Sequence, residues 1–175
     1  MKELFTYLCV CNVLSINIFS DCLAPGYKEE ESECIAGWTY FPHTNRCYKH
    51  FSENKNWADA RTFCLSFNES KGDLVSIPDQ FTNDFLTTLS SSRSWIGASD
   101  AVYEGDWRWN DGTAWRYESW TANEPNNAGH DQNYALINHL GHWNDEYASA
   151  ELPFFCQIDK GEMFRDSGLG TLGWA

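Results

Sequence analysis

Positive charge is scarce in this chain of 175 residues, which has only 12 Lys and Arg against 25 Asp and Glu. The formal net charge of −13 argues against nucleic acid or an anionic membrane as the partner, because both require basic patches. Beyond residue 20, no hydrophobic run approaches the roughly 20 residues that span a bilayer. No internal repeat is visible, and no nucleophile–base pair, catalytic dyad or cofactor loop indicates an enzyme.

The amino terminus has the pattern of a secretory signal. Lys2 supplies a short charged start, and residues 4–19 are mostly apolar, with a small residue following for cleavage. The sequence therefore predicts a signal peptide at 1–20 and a secreted mature chain. The alternative is a retained N-terminal segment, since the apolar run contains several polar residues. Residues 21–33 are polar and acidic, which predicts a hydrated linker.

The cysteines are disulfide candidates, because secretion places them in an oxidising environment. Seven are present, and removal of Cys9 and Cys11 with the predicted signal leaves five. These five are Cys22, Cys34, Cys47, Cys64 and Cys156. An odd number leaves one thiol free or bridged to another chain, and we hypothesise that Cys22 links two chains into a dimer. In the mature chain, Asn68-Glu69-Ser70 is the N-glycosylation sequon.

Hydrophobic patterning predicts two helices and several short strands, the combination of an α+β domain. One helix is indicated from Trp57 to Phe67, and a second from Asp79 to Ser90. The residues expected on the inner face of the second helix are Phe81, Phe85, Leu86 and Leu89. A β-hairpin is expected around the turn at 42–45. Further strands are predicted at 95–97, 134–137 and 154–156.

Tryptophan is abundant, with nine residues, and four of them are expected in the core. These four are Trp95, Trp107, Trp109 and Trp143. Trp115 and Trp120 lie in the polar, irregular segment 113–129, where either a core role or a sugar-stacking role is open. A structureless segment of this length in a compact domain is usually functional or disordered.

Oxygen ligands are concentrated in and after this irregular segment. The motifs Glu124-Pro125-Asn126 and Trp143-Asn144-Asp145, with Asp131 between them, offer three carboxylates and two side-chain amides. Calcium takes about six to eight oxygen ligands of this kind, at about 2.3–2.6 Å. The sequence therefore predicts a calcium site here.

The order and spacing of several short motifs resemble those of C-type lectin-like domains. The motifs are Cys34-Ile-Ala-Gly-Trp38, Cys64, Trp95-Ile-Gly97, Glu124-Pro-Asn126, Trp143-Asn-Asp145 and Cys156, and the match spans 34–159. The resemblance implies a double-loop α+β fold, with two helices packed on small antiparallel sheets and a long calcium-binding loop. It also implies the disulfides Cys34–Cys47 and Cys64–Cys156. Residues 160–175, rich in Gly and without a visible period, are expected to form a disordered tail.

The chain departs from the family pattern at the long loop. The disulfide that most members have there would join positions occupied here by Asn133 and Ala148, so both partners are missing together. We therefore expect the loop to be held by packing and by calcium. This predicts a stronger dependence on the ion than in a fully bridged relative.

The resemblance also implies which residues bind calcium. The implied primary ligands are Glu124, Asn126, Asp131, Asn144 and Asp145, with the backbone carbonyl of Asp145 and with Pro125 in the cis form. The family has Glu where Asp131 stands, and the shorter carboxylate implies weaker affinity. An accessory calcium would use Asp100, Glu104 and Asn127. The uncharged Gln132 stands in place of the fourth acid, so two alternatives remain open: the accessory site is occupied by calcium, or it has been lost.

In the family, the Glu-Pro-Asn order accompanies vicinal equatorial hydroxyls, as in mannose, fucose and N-acetylglucosamine, whereas Gln-Pro-Asp accompanies galactose. The resemblance thus implies a secreted, calcium-dependent, mannose-type lectin, with innate recognition of microbial surfaces as the family-level expectation. The alternative is a protein-binding domain in which calcium is structural only. His139 and His142 raise a zinc alternative, but a third ligand at matching spacing is absent.

Overall fold

The structure is a computed structural model that describes residues 34–67 and 71–160. Within these ranges it has two α-helices, α1 (Trp57–Leu65) and α2 (Gln80–Leu89), and one eight-stranded sheet. The strands are β1 (Thr39–Phe41), β2 (Arg46–Lys55), β3 (Asp73–Leu74), β4 (Ser94–Ser99), β5 (Arg108–Trp109), β6 (Gln132–Ile137), β7 (Trp143–Tyr147) and β8 (Leu152–Asp159). The α+β class predicted from the sequence is confirmed.

Several sequence-based expectations concern residues outside the described ranges. They are the signal peptide at 1–20, the linker at 21–33, Cys22, the sequon at Asn68 and the tail beyond residue 160. Lys160 itself is described, and its ammonium lies 4.9 Å from the centroid of the Tyr40 ring. Among the described helices, none has the length and apolar character needed to cross a membrane.

The sheet is mixed, with the strand order β1-β2-β8-β4-β6-β7, while β3 pairs with β8 and β5 pairs with β4. The strand pairs are antiparallel, as the resemblance implies, except that β4 and β8 pair in parallel through Trp95 and Phe154. Hydrophobic patterning identifies strands but not their partners. The last strand, β8, lies between β2 and β4, which brings two strands of the same direction together.

Side-chain caps fix the start of both helices. The Asn56 Oδ1 accepts the backbone N–H of Asp59 at 2.9 Å, and the Asp79 Oδ1 accepts the N–H of Thr82 at 2.9 Å. The predicted bounds of the second helix, Asp79 and Ser90, are its two cap residues.

The expected inward position of Phe81 is wrong, since this side chain is 69% exposed. The buried face of α2 is formed by Thr82, Asn83 and Leu86. At 3.6 residues per turn, Phe81 lies about 140° around the helix axis from Leu86. It therefore faces away from the core and lies against His43, with 5.3 Å between the ring centroids.

Aromatic residues and two disulfides hold the core. The four tryptophans expected to be internal are all buried. Trp115 and Trp120 are half-buried and pack against this core, at 5.0 Å from Trp109 and 5.7 Å from Trp143 between ring centroids. The disulfides Cys34–Cys47 and Cys64–Cys156 are both present, and the second joins α1 to β8.

Candidate functional site

Strand β7 positions the long segment that follows β5. The backbone N–H of Trp143 donates to the Ser119 carbonyl at 2.7 Å, and the Thr121 N–H donates to the Trp143 carbonyl at 2.8 Å. These two bonds place the segment beside β7, and the half-buried Trp120 packs on Trp143 at the same point. The residues that follow Thr121 consequently lie next to Asn144 and Asp145.

Glu124 and Asn126 present their side chains together. The Glu124–Pro125 peptide bond is cis, as the family resemblance implies. The Asn126 Nδ2 donates to the Glu124 Oε1 at 2.6 Å. This contact leaves the Asn126 Oδ1 as an uncommitted oxygen ligand beside a carboxylate.

Asp145 forms the buried side of the site. It is only 3% exposed, and its carboxylate accepts the backbone N–H of Asn126 at 3.2 Å and that of Asn127 at 2.6 Å. These bonds to the backbone satisfy a carboxylate that would otherwise be costly to bury. They also tie the loop that carries Asn126 to β7.

The electrostatics of the site favour a cation. Partial burial and the adjacent Asp145 carboxylate raise the pKa of Glu124, although the amide of Asn126 opposes the shift. Two neighbouring carboxylates repel each other when both are ionised, and a cation between them would remove that repulsion. Hard oxygen donors of this kind fit calcium.

The remaining two predicted primary ligands have different surroundings. Asn144 is half-buried on β7, and its Oδ1 accepts the Thr121 hydroxyl at 2.9 Å. Asp131 is exposed at the end of a 3₁₀ turn (Ala128–His130), and within the described ranges its side chain makes no hydrogen bond or ion pair. The structure thus brings Glu124, Asn126 and Asp145 together, with Asn144 adjacent, and does not join Asp131 to them.

No three His, Cys, Asp or Glu side chains meet as a metal-binding group across residues 34–67 and 71–160. The predicted primary set differs from such a group, because two of its members, Asn126 and Asn144, are amides. The oxygen donors of Glu124, Asn126, Asn144 and Asp145 fit calcium. Asp131 is the one predicted primary ligand that makes no contact with this group in the structure.

The accessory set is only partly assembled. Asp100 is 2% exposed, its Oδ2 accepts the Gly105 N–H at 2.9 Å, and its buried Oδ1 has no partner among the described residues. Burial raises the pKa of Asp100, the Gly105 N–H opposes the rise, and the negative charge of Asp145 adds to it. A buried, unpartnered carboxylate oxygen fits a cation, yet the Asn127 Oδ1 is already engaged by the Gln132 N–H at 3.1 Å. Glu104 is exposed.

Two site residues had no signal in the sequence. Thr121 and Tyr147 contact Asn144 and the 3₁₀ turn, respectively, across elements that are distant in the chain. Only the register of β7 against its neighbours brings them there, and local patterning does not reveal that register. The zinc alternative gains no support from geometry, since His139 and His142 are exposed in a turn closed by Asn138.

Comparison with known proteins shows that this chain is similar to lectins. The family model described as Lectin C-type domain matches residues 53–158. A lectin of Pleurodeles waltl is 32% identical over 166 residues, covering 90% of this chain and 94% of that protein. The galactose-specific lectin nattectin of Thalassophryne nattereri is 32% identical over 136 residues, covering 73% of this chain and 82% of that protein.

A solved structure extends the similarity to three dimensions. It is the carbohydrate-recognition domain of cow CD23, crystallised in the presence of a GlcNAc2Man3 oligosaccharide, and it superposes with a TM-score of 0.68 at 34% identity. The alignment covers 74% of this chain and 98% of that one. The likeness therefore extends over nearly the whole of a carbohydrate-recognition domain.

Proposed function

We propose that this chain, which belongs to the C-type lectin domain family, binds mannose-type glycans through a calcium ion. The lectins that this chain resembles are carbohydrate-binding proteins rather than enzymes. The observation that carries the proposal is the paired Glu124 and Asn126, which are in contact at 2.6 Å beside the buried carboxylate of Asp145. Secretion of the mature chain, a glycan on Asn68 and a dimer linked through Cys22 belong to the same proposal.

The donors and acceptors of the site suit two neighbouring hydroxyls. The residues that would hold the ion are Glu124, Asn126, Asp131, Asn144 and Asp145. When bound, calcium supplies coordination positions for the lone pairs of two sugar hydroxyls. Each hydroxyl then has a proton to donate and one lone pair to fill. Glu124 accepts the proton of a hydroxyl, and the Asn126 amide donates to one.

The preference for mannose-type sugars rests on the order of this acceptor and donor. The relatives do not decide the sugar, because one is named galactose-specific and the cow domain was crystallised with a mannose-containing oligosaccharide. Glu124 precedes Asn126 in this chain, the order that the family resemblance associates with equatorial 3- and 4-hydroxyls. Specificity is thus assigned to two side chains, which makes it open to direct test.

A glycan array probed with and without calcium tests the proposal. The wild-type protein is expected to bind mannose, fucose and N-acetylglucosamine glycans in calcium and to lose them in chelator. The double variant E124Q/N126D exchanges acceptor and donor, so its preference should move toward galactose. E53Q/N54D is a matched control, because it makes the same chemical changes at exposed positions on β2.

Binding that persists in chelator would contradict the calcium mechanism, and an unchanged preference in E124Q/N126D would place recognition on another surface. Calcium binding with no glycan retained at any density would favour the protein-binding alternative instead. Display at high density is needed, because a single shallow site binds a sugar weakly and avidity can add a factor of about 10²–10⁴.

A further inference from the structure

The segment 127–132 has no covalent brace. Both disulfides of the described chain lie elsewhere, at Cys34–Cys47 and Cys64–Cys156. Before β6 begins at Gln132, regular structure in the segment is limited to the 3₁₀ turn, which contains Gly129 with a φ of +70°. Since residues 127–130 separate the candidate ligands Asn126 and Asp131, something other than a disulfide must hold the segment in shape.

Gln132 makes three hydrogen bonds that close this segment. Its backbone N–H donates to the Asn127 Oδ1 at 3.1 Å, and its side-chain Oε1 accepts the Ala128 N–H at 2.7 Å. Its Nε2 donates to the Glu146 Oε1 on β7 at 3.4 Å. One residue thereby closes the loop upon itself and attaches it to the neighbouring strand.

Tyr147 adds a second attachment from β7. Its hydroxyl donates to the Ala128 carbonyl at 2.8 Å, and its backbone is paired with Gln132 in the sheet. A Cβ on Gly129 would meet the Tyr147 hydroxyl at 2.6 Å and would displace it, and the φ of +70° also favours glycine there. We call Gln132, Glu146 and Tyr147, with the backbone of Ala128, the amide clasp.

The amide clasp and the candidate calcium site meet at Asn127. The Asn127 N–H donates to Asp145 at 2.6 Å, while the Asn127 Oδ1 accepts from Gln132. The adjacent Asn126 N–H also donates to Asp145, at 3.2 Å. The amide clasp holds the N–H and the carbonyl of Ala128, which follows Asn127 directly, so release of the clasp would loosen Asn127 and, through it, Asn126.

We propose that Gln132 is a positioning residue that keeps the binding loop in shape before calcium arrives. The inference rests on the proposed function, since the loop held is the one that carries Asn126. It revises the expectation that packing and calcium alone hold the loop. An uncharged amide at this position braces the loop with hydrogen bonds, where a disulfide or a second ion would otherwise be needed.

The experiment combines hydrogen exchange in chelator with calcium titration. In Q132L, which removes both side-chain bonds at similar volume, the amides of 127–132 should exchange faster in the calcium-free protein. Calcium affinity should fall by about tenfold, the lower end of the loss seen when a residue that supports a metal ligand is removed. The amides of α1 and α2 should keep their protection, because among the described residues no hydrogen bond joins either helix to the amide clasp.

A charge swap provides the rescue. In Q132E, the carboxylate still accepts from Ala128 but faces the carboxylate of Glu146, so the loop should loosen. In Q132E/E146Q, the donor and acceptor exchange places, and slow exchange of 127–132 should return. E146Q alone serves as the control for the change at that position.

The outcomes separate this inference from the proposed function. Unchanged exchange and calcium affinity in Q132L would overturn the positioning role, as would an equal loss of protection throughout the sheet and helices. Failure of the wild-type protein to bind any glycan on the array would refute the lectin proposal. Hydrogen exchange measured in chelator would still show whether the amide clasp holds the loop.

Discussion

Asn83 is a buried polar residue whose two partners lie 58 and 60 residues later in the chain. It is 2% exposed on α2, its Nδ2 donates to the Gly141 carbonyl at 2.9 Å, and its Oδ1 accepts the Trp143 indole N–H at 2.8 Å. A Cβ on Gly141, whose φ is +77°, would meet the Asn83 Nδ2 at 2.6 Å. Asn83 thus fixes the turn that leads into β7 and the tryptophan directly before Asn144.

Replacement of Asn83 by Ala is expected to lower the free energy of unfolding by about 2–3 kcal/mol. The reason is that Trp143 Nε1 and the Gly141 carbonyl would both remain buried without a partner. Urea denaturation followed by tryptophan fluorescence measures the change. N54A, at an exposed position, is the matched control, and equal stability of the two variants would refute the assigned role.

Single residues differ in how far the sequence predicts them. The buried positions of Trp95 and Trp143 follow from hydrophobicity alone. Asn83 and Gln132 do not follow from it, because an amide is ordinarily exposed and only its distant partners make burial favourable. The pairing of Glu124 with Asn126 can be predicted from the sequence, since both residues lie within three consecutive positions.

At the scale of elements, Asp111 joins parts of the chain that are far apart in sequence. It follows β5, its side chain is 11% exposed, and it pairs with Arg46 of β2 at 3.1 Å. It also accepts from Ser76 and from Gln157 of β8, each at 2.8 Å. Burial alone would raise the pKa of Asp111, but hydrogen bonds from Thr113, Ser76 and Gln157 lower it below its ordinary value.

The lowered pKa of Asp111 predicts how the stability of the folded protein changes at acidic pH. Its ionised form is stabilised in the folded protein, so its contribution is fully present above the unfolded pKa of about 3.9 and is lost as pH falls through the lower, folded value. D111N should therefore be less stable than wild type by about 2 kcal/mol at pH 7, with the difference shrinking below pH 4.

Urea titrations at pH 7 and at about pH 3, both in chelator, provide the comparison between wild type and D111N. D84N is the control, since Asp84 is exposed on α2. A difference that stays constant over this pH range would show that the charge of Asp111 is not the stabilising feature.

Elements as a whole were predicted better than their orientation and pairing. Both helices lie where the 3.6-residue spacing indicates, although α1 ends at Leu65, two residues before the predicted end at Phe67. Phe81 was misplaced because its spacing from Phe85 fits an inner face, whereas the sheet packs on Thr82, Asn83 and Leu86. The parallel pair of β4 and β8 could not be predicted, since pairing depends on the path of the entire chain.

At the scale of the whole molecule, the two disulfides close loops of very different length. Cys34–Cys47 joins residues 13 apart, and Cys64–Cys156 joins residues 92 apart. A crosslink stabilises largely by restricting the unfolded chain, and the restriction grows with the length of the loop. The long connection is therefore expected to contribute more to the free energy of unfolding than the short one.

Removal of the long disulfide in C64A/C156A is expected to reduce stability by about 4–5 kcal/mol, compared with about 3 kcal/mol for C34A/C47A. Both variants remove two thiols, so each is the control for the other. Urea denaturation in chelator yields the two free energies. Equal losses, or a larger loss in C34A/C47A, would argue that local strain or packing outweighs the chain-entropy effect.

The central position of strand β8 has a consequence for folding during synthesis of the chain. Its neighbours β2 and β4 are synthesised long before it, so during translation both present an open edge and Cys64 awaits a partner thiol. Such edges invite mispairing with other chains. Folding therefore completes only when residues 152–159 leave the ribosome, and a chain truncated before them has the candidate site residues without the strand that joins β2 to β4.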